Sequence, residues 1–137
     1  MKEISTEQYG KIISTLELKN IFLSKLSSDG NYKAISENMQ VKISDDAFFE
    51  YGNNIFTITT NYILQAKNQS DEIALEIKCT FILQYNSPQP ITADFFDIYK
   101  KTSLPFNVWP YFREQVNNIT SRMNIPPLTL PLIKNII

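Results

Sequence analysis

The chain of 137 residues has no histidine and one cysteine, Cys79. Without them the commonest nucleophile–base pairs and nearly all zinc sites cannot be built, and no internal disulfide can form. Glycine occurs three times, at the isolated positions Gly10, Gly30 and Gly52, so there is no glycine-rich loop to cradle a phosphate. Thirteen basic residues face fourteen acidic ones with no basic run, which argues against a nucleic-acid partner held through phosphates. No apolar run approaches a membrane span, and the opening MKEISTEQYGKIIS lacks the apolar core of a signal peptide. The expectation is a cytoplasmic protein with no catalytic apparatus, no cofactor and no membrane insertion. What the chain does hold is apolar material: 43% of residues, with nine Phe, seven Tyr and one Trp, enough for the core of one domain spanning 1–137.

Much of that material recurs at every second residue. Residues 1–14 form a polar segment with scattered Ile4, Tyr9, Ile12 and Ile13, which fits a short helix or a loose arm equally. Over 15–27, Leu16 and Leu18 share one parity and Ile21 and Leu23 the other, so the pattern slips near Asn20, the mark of a bulged strand. Ser28-Asp29-Gly30-Asn31 reads as a turn. In a second strand Met39, Val41, Ile43, Ala47, Phe49 and Tyr51 share a face that only Asp45 breaks, with Phe48 among the polar residues opposite. Gly52-Asn53-Asn54 marks a hairpin. Phe56, Ile58, Tyr62, Leu64 and Ala66 define a third strand, and Ile73 through Tyr85 alternate as a fourth after a turn at 67–71. Short turns demand antiparallel neighbours, so the reading is a four-stranded antiparallel meander with one apolar and one wet face.

Pro88 and Pro90 end the strands, and the period then becomes helical. Thr92 suits an N-cap, Asp94 the first turn and Lys100-Lys101 the last, around a stripe of Phe95, Ile98 and Tyr99. Residues 102–107 read as a connector. Pro110 suits the first turn of a longer helix over 111–124, whose stripe is Phe112, Val116, Ile119 and Met123. Asn124 stands where a left-handed cap belongs, Pro126-Pro127 forbid continuation, and 126–137 is an extended tail. The fold class is therefore α+β: a sheet followed by a short and a longer helix packed on one face.

The C-terminal segment carries a resemblance. Pro110-Tyr111, Arg113-Glu114, Ser121-Arg122, Pro126, Leu128, Leu130 and Pro131 are similar, in order, to the PYxRE…SRGxFPxLxLxP segment of the SecB family of protein-export chaperones. Gln40-Val41-Lys42-Ile43 resembles that family's apolar-Lys-apolar stretch, and Leu75-Glu76-Ile77 its apolar-Glu-Val stretch. The resemblance implies a holdase with no active site or cofactor, which binds non-native polypeptides in apolar grooves. It implies a homo-oligomer, a dimer or dimer of dimers, joined through first strands and helices. The client-binding candidates are Met39, Val41, Ile43, Phe48, Phe49, Phe106, Trp109, Leu128 and Leu130, with Tyr32 a further exposed-aromatic candidate. Ile21, Leu23, Arg113, Asn117 and Ser121 are the oligomer-interface candidates.

Three departures qualify it. The family's first strand carries acids that contact the export motor SecA; Lys19-Asn20-Ile21-Phe22-Leu23-Ser24 has none, which counts against docking and leaves Glu76 as the matching acid. Met123 replaces the glycine after Ser121-Arg122, and a further helix beyond the proline segment is not matched. A role in guarding one dedicated client, such as an antitoxin, suits the loss of motor contacts. Two other classes compete: a scaffold domain of the same fold binding one folded partner, and a small-molecule binder using a pocket between sheet and helices.

Overall fold

The computed structural model describes residues 4–125. Its elements are α1 (Thr6–Thr15), β1 (Glu17–Gly30), β2 (Gln40–Gly52), β3 (Ile55–Lys67), β4 (Ile73–Asn86), α2 (Ala93–Thr102) and α3 (Leu104–Arg122). The polar opening segment is helical because Ser5 and Gln8 form a reciprocal capping box at its start. Asn53 and Asn54, with φ of 53° and 63°, make the two-residue turn that joins β2 to β3. Both central residues being left-handed is the type I′ geometry that matches strand twist.

The sheet is antiparallel with strand order β1-β4-β3-β2, so the meander holds for β2, β3 and β4 only. The first strand does not pair with the second; it lies at the far edge against β4. Residues 31–39 therefore cross the end of the sheet, roughly three strand spacings or ~14 Å. Asn31 N–H donates to the Ala74 carbonyl at 2.9 Å, and the Asn68 side-chain amide donates to the Ala34 carbonyl at 2.9 Å, tying the crossing to the β3–β4 turn.

The slip expected near Asn20 is a register shift between Leu18 and Asn20, and a second lies between Leu23 and Lys25. Each shift switches the faces of the side chains that follow. The strand also runs on through Ser28, Asp29 and Gly30, paired with Ile77, Glu76 and Leu75, where a turn was expected. Gly30 belongs there for a packing reason: a Cβ would come within 3.3 Å of the Met123 Sδ at the end of α3.

The helices lie on the face formed by Phe56, Ile58, Tyr62, Leu64, Leu83 and Tyr85. Thr92 caps α2 through its side-chain oxygen, as expected. The longer helix starts at Leu104, six residues before Pro110, and the expected connector is its first turn. Pro105 fills the first-turn role, while Pro110 sits inside the helix on its exposed side. The carbonyl that loses its bond to the missing N–H belongs to Phe106, a residue on the exposed side of the helix. Burial of Leu104, Val108 and Trp109 supplies the stability that the proline removes. Asn124, φ 58°, is the expected left-handed cap; the proline stop and tail lie outside the described residues.

Aromatic rings form the core. Phe56 meets Tyr85, Phe95, Phe96 and Tyr99 with centroids 5.2 to 6.3 Å apart, beneath α2. Tyr62 stacks on Phe112 at 4.5 Å and meets Trp109 at 5.8 Å, beneath α3. Trp109, expected at a groove, is 2% exposed and belongs to this core. Trp109→Ala should therefore cost about 3–5 kcal/mol in urea unfolding. Phe106→Ser, at a 59% exposed site, should stay within about 0.5 kcal/mol.

Burial pushes the Cys79 thiol up to about 11. Because its folded value is raised, the associated stability is complete below the ordinary thiol range and is lost as pH climbs towards 11. At pH 8 a thiol reagent should label the native protein about 10³-fold or more slowly than the unfolded chain. Rapid labelling would contradict this packing of β4.

Candidate functional site

The two helices do not protect the strands equally. Between Phe56 and Leu64, every second side chain of β3 is buried, and β4 is buried in the same way from Leu75 to Tyr85. No residue of β1 or β2 is buried. Yet both edge strands carry apolar side chains on the helix-covered face. On β2 these are Val41, 42% exposed, and the half-buried Ile43, Ala47, Phe49 and Tyr51. On β1 they are Leu18 and Leu26, both exposed, and the half-buried Ile21 and Leu23.

Hairpin geometry fixes the backbone of β2. The pair Gly52–Ile55 closes the two-residue turn and so exchanges hydrogen bonds. The alternation runs without a bulge to Gln40–Lys67, so even-numbered residues bond to β3. Val41, Ile43, Ala47, Phe49 and Tyr51 consequently point N–H and C=O away from β3 while turning their side chains to the helix-covered face. One series of residues thus presents both an outward-facing main chain and an apolar strip that Asp45 alone interrupts.

α2 forms the wall above this strip, where Phe96 packs on Phe49 with centroids 4.7 Å apart. Beside it a cleft of about 340 Å³ opens between β2 and the corner joining α2 to α3. Asp45 and Asp46 stand on one wall, Lys100 and Lys101 on the other, with Thr60 and Tyr62 at the floor. Burial and then the Asp45 charge raise the Tyr62 phenol above its ordinary range, so the floor is neutral at any physiological pH. Thr60 Oγ1 donates to the Asp46 carbonyl at 3.3 Å.

The remaining candidates scatter. Met39 is half-buried at the start of the strip. Phe48 is 54% exposed on the opposite face of the sheet, and Tyr32 is 79% exposed on the crossing segment. Phe106 is exposed at the start of α3, on the far side of the corner from β2. Asn117 and Ser121 are exposed on α3, with Ser121 Oγ donating back to the Asn117 carbonyl at 2.9 Å, and Arg113 is half-buried. Leu128 and Leu130 lie outside the described residues. Glu76, on the open face, accepts from Gln65 Nε2 at 2.7 Å and has Lys78 Nζ at 3.6 Å, so its charge is already met.

Sequence reasoning missed Phe22. The slip at Lys19 turns it to the open face, where pairing aligns it with Ile82, Thr59 and Phe48 in one row across the sheet. It also missed Leu18 and Leu26 as exposed apolar residues. Among the described residues no group of three or more carboxylate or thiol side chains is placed to hold a metal ion, and no helix is long and apolar enough to cross a membrane.

Neither a family model nor a curated relative matches the sequence. Among solved structures, the chain is similar to the Mycobacterium tuberculosis SecB-like chaperone Rv1957, solved in complex with a ChAD peptide from the Rv1956 HigA1 antitoxin. The two superpose with a TM-score of 0.79 at 18% identity, over 93% of this chain and 97% of that one. This establishes a SecB-like α+β fold: a four-stranded antiparallel sheet followed by two helices.

Proposed function

We propose that this protein is a chaperone of the holdase type, which binds non-native polypeptides along β2. The observation that carries the reading is the uncovered apolar strip of β2, whose residues also point their main-chain groups outward. A folded domain gains nothing from leaving Val41, Ile43 and Phe49 partly in water, since each burial is worth roughly 1.5–3 kcal/mol. An extended client segment lying against β2 supplies that burial, and its main chain completes the ladder as in other cases of strand addition. Exposed backbone alone would invite indiscriminate pairing, and Lys42, Asp45, Asp46 and Glu50 along β2 are the charges that edge strands use against it.

The polypeptide ligand of the structural neighbour supports the same class of client here. A dedicated antitoxin client fits better than general export, because the β1 stretch Lys19-Asn20-Ile21-Phe22-Leu23-Ser24 carries no acid for a motor such as SecA, and Glu76 already accepts from Gln65. Self-association belongs to the same reading. The uncovered β1 residues Ile21, Leu23 and Leu26, with Asn117 and Ser121 on α3, offer the surface for a second copy.

Suppression of aggregation of a chemically unfolded test protein, at stoichiometric ratio and without nucleotide, checks the proposal. The intact chain should suppress it. Val41→Asp should weaken suppression about tenfold or more while shifting stability by under about 1 kcal/mol, because Val41 is 42% exposed. No suppression by folded protein would sink the holdase reading and favour a single folded partner.

A further inference from the structure

On the face of the sheet away from the helices, no side chain in the rows from Asn20 to Asp29 is buried. Strand pairing fixes what each row contains. Phe22, Ile82, Thr59 and Phe48 make one row across all four strands, with Phe22 47% and Phe48 54% exposed at its two ends. The next row is Lys25, Thr80, Asn61 and Asp46, a cation ending it on β1 and an acid on β2. Two rows further on, Asp29 ends the row on β1 and Lys42 on β2, with the signs reversed. Within one chain these ends are three strand spacings apart, ~14 Å, too far to pair. Lys25, Asp29 and Lys42 have no ion-pair partner among the described residues.

This pattern is complementary to itself. A two-fold axis parallel to the strands, midway between β4 and β3, lays β1 of one copy over β2 of another, row upon row. Phe22 then meets the second copy's Phe48, Lys25 its Asp46 and Asp29 its Lys42, and symmetry makes each contact twice. An axis along the aromatic row would instead set Asp46 on the second copy's Glu50, acid on acid. Charge therefore selects one of the two alignments. Sheets packed in the aligned mode lie ~10 Å apart with strands within about 30° of each other, a gap these side chains span. Five rows of four strands cover roughly 19 by 34 Å, a flat footprint of about 650 Å² beside the ~800 Å² per partner of a standard interface.

We propose that a second copy of this chain packs on the open face through that two-fold axis, with Phe22 against Phe48 and Lys25 against Asp46. The contact is distinct from the β1 and α3 surface described above and does not rest on the holdase reading, since clients there lie along the edge and the helix-covered side of β2. Sedimentation equilibrium of the full chain over about 1–100 μM tests it. The unchanged chain should self-associate in that range. Lys25→Glu and Asp46→Lys should each weaken association about tenfold or more, because every contact of that pair becomes like on like. An equimolar mixture of the two variants should recover it, since both contacts then join opposite charges. Edge-to-edge pairing of β1 involves no Asp46 and would give no such rescue. Phe48→Ser, at an exposed position, should also weaken association while leaving the fold unchanged. No association by 100 μM, single variants that associate as tightly as the unchanged chain, or a mixture no tighter than its components would each overturn the proposal.

Discussion

Coverage of the sheet by its helices is the constraint from which the rest follows. The strands have 13 or 14 residues, which is about 43–48 Å of extended chain. Against them lie α2, with 10 residues, and α3, with 19, or about 15 Å and 28 Å of helix. Two helices of that size can seal the central strands and no more. The aromatic cluster under them, from Tyr85 through Phe56 to Tyr62 and Phe112, is buried and continuous. The edge strands inherit apolar side chains with nothing fully above them. An unfinished core of this kind is a stability loss for a monomer, and it leaves an apolar surface that an extended partner would complete under the proposed reading.

The α2–α3 corner sets where that surface lies. Ser103 is at once the C-cap of α2 and the N-cap of α3, with no side-chain capping bond, so the turn is held by its neighbours. Buried Leu104 and Pro105 anchor it from below, and Asn107 anchors it to Tyr85 and Tyr99. On one side of this wedge lies the charged-walled cleft against β2, on the other the apolar-walled cleft against β1. Both are consequences of a rigid corner set down over a sheet wider than itself.

Much of this was legible in the sequence where side-chain period carries the information. β3 and β4 alternate strictly because one face is fully buried, and Thr92 and Asn124 announce their helix ends through their own chemistry. Parity even betrayed the slip beside Asn20. Strand order was not legible, because residues 31–39 carry no signal that separates a local turn from a crossing. The start of α3 was missed since Pro110 reads as an N-terminus locally, whereas burial of Val108 and Trp109 decides the matter. Exposure was harder still: the same alternation describes a covered strand and an uncovered one, and only the placement of the helices tells β2 from β3. The row from Phe22 to Phe48 likewise joins the two edge strands, whose places in the sheet no spacing reveals.

Hydrogen–deuterium exchange with and without an unfolded client, resolved to individual strands, tests the central claim most directly. Outward-facing amides at the edge should exchange through small local openings, whereas those of the sealed strands wait for larger ones. If β2 is where clients lie, its amides over 40–52 should gain protection on client binding while those of β3 and β4 stay unchanged. Protection that appears elsewhere and leaves β2 untouched would contradict the account.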